Sequence, residues 1–346
     1  QFTQKNGRRW STSSAYLNPA RKRSNLEIRT KVQTKRIIFQ QNKAVGVETE
    51  RSGRSETIRA RHVILSCGAI GSPQLLELSG VGDADRLNAL GINVHHHLPD
   101  VGEHLQDHLL CKVVYGTRAD LSINREVRGA RLIPASLKWF FARKGPLTTG
   151  SAPIGAFWYT REGLEAPDIQ VHFASGATLY NDAGKIRALA QPAMSAVVNQ
   201  SRPESRGSIH ITSADFRDYP EIKANYLSTE LDRRTMVDGM KLLLQVFQSE
   251  ALAGSIASRL SPAAEMGDLD DDALLEYIRQ EASTVYHPTS TCSIGKVVDE
   301  NLLVKGIDGL SVVDASVMPY VVSGNTNAAT IMVAEKNADF LVTRAK

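Results

Sequence analysis

His287 lies in the run Tyr286-His287-Pro288-Thr289-Ser290-Thr291-Cys292-Ser293-Ile294-Gly295, an imidazole followed by proline and small hydroxylated residues. Imidazole has the ordinary pKa best suited to taking a proton near neutrality, and a loop can aim it at a substrate. An isolated histidine of this kind is more often structural, so its surroundings must decide. Further along stand Asp314-Ala315-Ser316-Val317-Met318-Pro319 and then Ser323-Gly324-Asn325-Thr326-Asn327-Ala328-Ala329. A strand ending in Asp, a polar loop and a helix opening on Gly-Asn-Thr-Asn can form an anion site. A helix N-terminus presents unpaired N–H groups and partial positive charge, which would suit a flavin ring that becomes anionic on reduction. An ordinary capped helix has the same residues, so this segment alone leaves both readings open.

The elements that must hold these residues follow from periodicity. Leu26–Ile28, Arg36–Phe39 and Ala44–Glu48 read as short strands, with a turn over Gln40–Lys43. Val63–Ser66 reads as a strand buried on both faces. A sharp turn follows, with Ser72 as N-cap and Pro73 as first residue of a helix through Gln74–Leu78. A second helix covers Ala84–Leu90, with Gly91 at its C-terminus. Between 112 and 285 the runs Ile169–Phe173, Ala193–Val198 and Ser208–Ile211 predict an antiparallel sheet rather than further βαβ units. Helices are expected over Thr229–Gln248, capped by Ser228, and over Asp270–Ala282. Met236, Met240, Leu243, Leu244 and Phe247 share one face of the first. The chain then returns to an α/β pattern. Leu310–Val313 is a strand and Asn327–Thr343 a helix presenting Ile331, Ala334, Ala338 and Leu341.

Several long segments together resemble the glucose-methanol-choline (GMC) oxidoreductase family. The two C-terminal segments look like its hallmark. Gly68-Ala69-Ile70-Gly71-Ser72-Pro73-Gln74-Leu75-Leu76-Glu77-Leu78-Ser79-Gly80-Val81-Gly82 is similar to its second signature. Leu98-Pro99-Asp100-Val101-Gly102-Glu103-His104-Leu105-Gln106-Asp107-His108 resembles another family segment, which usually has Asn where His104 stands. Segments 201–208 and 220–227 resemble parts of its substrate domain. The resemblance covers nearly the whole chain in the family's order.

It implies a fold with an α/β FAD-binding, Rossmann-like and incomplete part and an α+β substrate domain with an antiparallel sheet. The expected domains are 1–111 and 286–346 for the cofactor and 112–285 for the substrate. It implies FAD as cofactor and oxidation of an alcohol, a primary one being expected, to an aldehyde. His287 would take the hydroxyl proton, Asn325 would hydrogen-bond the same oxygen, and hydride would pass to flavin N5. Asn325 stands where the family has His or Asn, as in its choline-oxidising branch. Asp314 and Ala315 are implied near the flavin diphosphate and ribityl chain, Thr326 and Asn327 near the pyrimidine edge, Gly68 and Ala69 along the adenosine half, and Thr34 at adenine. Ser290 replaces a common Gly and Ile294 a common Met. The family's Gly-x-Gly-x-x-Gly phosphate loop has no counterpart in the sequence. Residues 1–346 alone are therefore expected to hold FAD weakly or not at all, as part of a longer protein or one completed by another chain. A flavin lyase or photodecarboxylase on the same fold, or a non-catalytic fragment or subunit, are the competing readings.

Composition fits this picture and narrows the alternatives. The 346 residues are 42% hydrophobic, enough for a large core and two or three domains. Net charge is +4, and Arg21-Lys22-Arg23 is the densest basic cluster, which argues against a nucleic-acid partner. Three cysteines, Cys67, Cys111 and Cys292, make neither a disulfide framework nor a zinc pattern. No apolar stretch approaches the ~18 residues of a membrane helix. The start at Gln1, without Met or signal peptide, looks like a cut edge, and a cytoplasmic protein is expected. The electron acceptor (oxygen, quinone or another) is not legible. His95-His96-His97 reads as a surface strand and His104, Asp107 and His108 as a structural turn, so no metal is expected. Asn199-Gln200-Ser201 is a sequon, and Trp139, Phe140 and Phe141 read as core or channel wall.

Overall fold

The computed structural model describes residues 3–118, 121–150, 152–180, 186–267 and 269–344. In chain order the principal elements are β1 Gln33–Gln40, β2 Lys43–Arg51, β3 Arg54–Arg59, β4 Val63–Leu65, α1 Gly68–Leu78, α2 Ala84–Ala89 and β5 Leu109–Thr117. They continue with α3 Leu132–Ala142, β6 Ile154–Trp158, β7 Ile169–Ala174, β8 Ala193–Gln200 and α4 Glu230–Gln248. The last are β9 Ile256–Ser261, α5 Asp271–Glu281, β10 Leu310–Val312 and α6 Thr326–Arg344. Two compact units divide the chain. One comprises Gln1–Glu27, Leu109–Ser201 and Arg233–Ser283, the other Ile28–His108, Arg202–Asp232 and Thr284–Lys346.

The first unit contains an antiparallel sheet in the order β6-β7-β8-β5-β9. Its strands alternate or are β-branched, as an antiparallel sheet with one packed face requires. Val113, Ala196 and Val198 of this sheet are buried, as are Met236, Met240, Leu243 and Phe247 of α4, while Val114 belongs to a separate buried cluster with Ala177 and Ala193. Phe247 stacks on Tyr115 with ring centroids 4.3 Å apart. Gly239 gives α4 its close approach, since a Cβ there would stand 2.9 Å from Val198 Cγ2.

In the second unit β4 and β10 pair in parallel, Val63 opposite Leu310 and Leu65 opposite Val312. The antiparallel meander β1-β2-β3 belongs to the same unit. Ile37, Leu65, Leu76, Val81, Val304, Leu310 and Val317 are among the buried residues of its core. Ser208–His210 and Glu221–Lys223 form a small hairpin here.

Four local expectations are corrected. Leu26–Ile28 forms no strand. α1 starts at Gly68, so Ser72 and Pro73 lie inside it rather than at its cap. The first turn of α4 is met by Thr229, whose hydroxyl accepts from the Asp232 amide at 3.2 Å, while Ser228 instead hydrogen-bonds Ser205. The strand at Val63–Leu65 is not buried on both faces, since Ile64 is exposed.

Candidate active site

His287 lies on a segment threaded through the second unit by backbone pairing. Thr289 donates to Gln106 O at 2.8 Å, Cys292 to Ser316 O at 2.9 Å and Ile294 to Val317 O at 2.9 Å. The side chain is 8% exposed. Its Nε2 stands 3.2 Å from Asn325 Nδ2, at the residue just before α6. Its Nδ1 stands 3.0 Å from His108 Nδ1. With the Asn325 amide in this orientation the contacts match one pair of tautomers. An amide NH2 only donates, so Nε2 of neutral His287 is the acceptor and its proton rests on Nδ1. That proton is donated to His108 Nδ1, which places the proton of His108 on Nε2.

Asp107 holds both histidines. One carboxylate oxygen accepts from the backbone amides of His108 at 2.9 Å and His287 at 2.8 Å. The other accepts from the Tyr226 hydroxyl at 2.5 Å and from Thr284 Oγ1. Burial, reinforced by Asp107, pushes the Tyr226 phenol upward, so it remains an O–H donor. Gln106 fixes the neighbouring loop, accepting from the Val321 amide at 3.0 Å and donating to Pro203 O at 2.5 Å. By sequence pattern the 104–108 stretch is a structural turn in which Asp107 and His108 carry no role. The one sequence signal was their place in the Leu98–His108 segment, since their partners lie 180 and 179 residues away.

The residues expected around a cofactor divide into two groups. Asp314 is 5% exposed, and its carboxylate is taken up within the protein. It accepts from Gly68 N at 3.0 Å, Ser72 Oγ at 2.5 Å and Ser316 N at 2.8 Å. It therefore caps α1 from another element. Thr291 Oγ1 donates to Ala69 O at 2.7 Å, tying this turn to the His287 segment. Gly68 adopts φ 78° and has no atom within 4 Å of where a Cβ would lie, so a group can approach its backbone. Thr326 opens α6, and Asn327 beside it is exposed. Thr34 sits apart on β1, paired with Thr49.

Two departures from the family pattern have a backbone meaning. His104 adopts φ 64° and Ser290 φ 76°, a region that Asn and Gly enter most readily. His104 hydrogen-bonds Asp100 at 2.7 Å. His96–His97 is a short strand paired with Val81–Gly82, and His95 stacks on Phe39 at 3.9 Å. Among the described residues no His, Cys, Asp and Glu cluster could hold a metal ion. The cysteines are free; burial pushes Cys111 up to about 12 and Cys292 well above its ordinary value. Asn199 of the sequon is fully buried. Among the described residues no helix is long and apolar enough to cross a membrane.

Two sequence models of GMC oxidoreductases match the chain, over residues 1–110 and 203–334. Mouse mitochondrial choline dehydrogenase is 40% identical over 97% of the chain and 56% of that enzyme. The oxygen-dependent choline dehydrogenase of Staphylococcus saprophyticus is 36% identical over 97% of the chain and 60% of that enzyme. Pyridoxine 4-oxidase from Mesorbium loti superposes with a TM-score of 0.83 at 27% identity, covering 97% of the chain and 62% of that structure. The chain thus spans somewhat over half the length of these relatives.

Proposed function

Because the chain belongs to the GMC oxidoreductase family, we propose that it carries the catalytic groups of an FAD-dependent alcohol oxidation. The observation that carries this reading is the convergence of an acceptor and a donor. His287 Nε2 and Asn325 Nδ2 are 3.2 Å apart, so one oxygen atom can hydrogen-bond both.

An alcohol oxygen placed there takes over the Asn325 N–H, which frees the single Nε2 lone pair of His287 to receive the hydroxyl proton. Asn325 then donates to the oxygen as it gains negative charge, in the manner of an oxyanion donor. His287 becomes an imidazolium whose Nδ1–H stays bonded to His108, and the Asp107 carboxylate on the two backbone amides balances the new charge. FAD, when bound, supplies the acceptor for the hydride that leaves the alcohol carbon. The backbone at Gly68, Ala69, Asp314 and Ala315 and the start of α6 at Thr326 and Asn327 would hold it, with β4, α1 and β10 as part of a Rossmann-like layer. Thr34 is assigned to the adenine end on the family resemblance alone. Primary alcohols are the substrate class, and the named activity of the curated relatives makes choline the first to try.

The test is anaerobic flavin reduction in the full-length protein by a panel of primary alcohols including choline. His287→Ala should slow reduction by about 10²–10⁴. Near-normal reduction in that variant would overturn the base assignment. Absence of alcohol-driven bleaching in the wild-type flavoprotein would overturn the reaction itself.

A further inference from the structure

Trp139, Phe140 and Phe141 were expected in a core or channel wall, and the structure places the last two in solvent. Helix α3 buries only Ala135. Ile133, Leu137, Phe140 and Phe141 are 64%, 52%, 61% and 79% exposed. At about 100° per residue these four fall on one stripe of the helix, and Ala135 and Trp139 fall on the opposite side. The helix therefore has a packed seam and a second apolar face left exposed among the described residues. Such a contiguous patch marks an interaction surface rather than a scattered exposed residue.

The charge around the stripe identifies the kind of partner. The hairpin of Gln4–Lys5 and Arg8–Arg9 is tied to this helix, because Trp139 Nε1 donates to Gly7 O at 3.0 Å. Arg143, which follows the helix, lies over the Trp139 ring at 4.5 Å. Residues 3–10 contribute three cations and residues 121–150 six, Arg128, Arg131 and Lys138 among them, against the single acid Glu126. Aliphatic and aromatic side chains ringed by Lys and Arg match a negative headgroup layer over an acyl interior, the two chemistries of an anionic bilayer surface. The long basic side chains can keep their charges at the headgroups while the stripe enters below. The 11 residues of α3 suit a helix lying in that boundary and are too few to cross it.

We propose that α3 and the Gln4–Arg9 hairpin form a docking face for an anionic lipid bilayer, with Ile133, Leu137, Phe140 and Phe141 as the inserted stripe. The test is co-sedimentation of the full-length protein with phosphatidylcholine vesicles, pure or containing roughly a third phosphatidylglycerol. Binding is expected to the anionic vesicles and to fall as salt rises. The double variant Phe140→Ser/Phe141→Ser should weaken it by about tenfold or more. The triple variant Arg128→Glu/Arg131→Glu/Lys138→Glu should do the same through charge alone. All five side chains are exposed, so circular dichroism and the thermal midpoint should stay as in the wild type. The proposal is overturned if wild-type protein ignores anionic vesicles, or if neither variant changes binding. It is equally overturned if the phenylalanine variant changes oligomeric mass in solution while vesicle binding persists, since the stripe would then join copies of the chain.

Discussion

At the scale of residues the site is a chain of proton positions. Asn325 can only donate through Nδ2, which makes His287 Nε2 an acceptor, and the 3.0 Å bond to His108 carries the proton of the other ring nitrogen. A base is useful only with its lone pair aimed at the substrate, so under the proposed function His108 is a positioning residue for His287. His108→Ala removes the acceptor of Nδ1–H and frees the ring to adopt the wrong tautomer. It should slow anaerobic flavin reduction by about 10–10², the usual cost of losing an orienting partner, and shift the pH profile of that step. His108→Gln offers a carbonyl oxygen to the same N–H and should recover part of the rate. Wild-type rates and pH profile in His108→Ala would show that the tautomer is held some other way.

Elements explain why some of this was legible and some was not. β1, β2, α4 and α5 follow from local signals: alternating β-branched runs, a 3.6-residue apolar period and, for α5, a cap at Asp270. The start of α1 did not, because its N-terminal donors are met by Asp314, 246 residues away from Gly68. A local reading looked for the cap nearby and settled on Ser72, which in fact donates to the same carboxylate. A motif singles out His287 and Asn325, whereas the contacts of Asp107 and His108 with His287 arise only from long-range pairing. Phe140 and Phe141 lie in solvent rather than in a core or channel wall because composition cannot say which face of a helix is covered. Asp314 also gives the element-scale prediction. Asp314→Ala leaves three donors without their acceptor and should cost roughly 2–4 kcal/mol of stability, read as a lower denaturation midpoint.

The β1–β2 ladder adds a pH dependence. Hydrogen bonds from Lys35 and then Arg36 hold the Glu48 carboxyl below its ordinary value of 4.5, against the opposing effect of burial. A lowered folded-state value means the pair stabilises the fold above the ordinary value and loses that contribution as pH falls through the folded one. Glu48→Gln should therefore lower the thermal midpoint at neutral pH. The gap to wild type should close between about pH 5 and pH 3, and a gap that stays constant there would contradict the pairing.

Over the whole chain charge is uneven along the sequence. Residues 3–10 and 121–150 carry nine cations and one acid, a net +8, while the whole chain carries +4, which leaves −4 for the remaining residues. On the docking proposal this basic part of the chain is drawn to a negative plane, with α3 toward the lipid. Orientation matters if the oxidised alcohol's electrons leave through an acceptor dissolved in the bilayer. Turnover of the full-length protein with a long-chain quinone carried in anionic vesicles should then exceed turnover with the same quinone in neutral vesicles by about tenfold. A water-soluble dye acceptor should show no such difference, because docking leaves the His287 and Asn325 chemistry untouched. Phe140→Ser/Phe141→Ser should remove the advantage while dye-linked turnover persists. If the variant kept the full anionic-vesicle advantage, electron delivery to the bilayer would have to proceed without the α3 face.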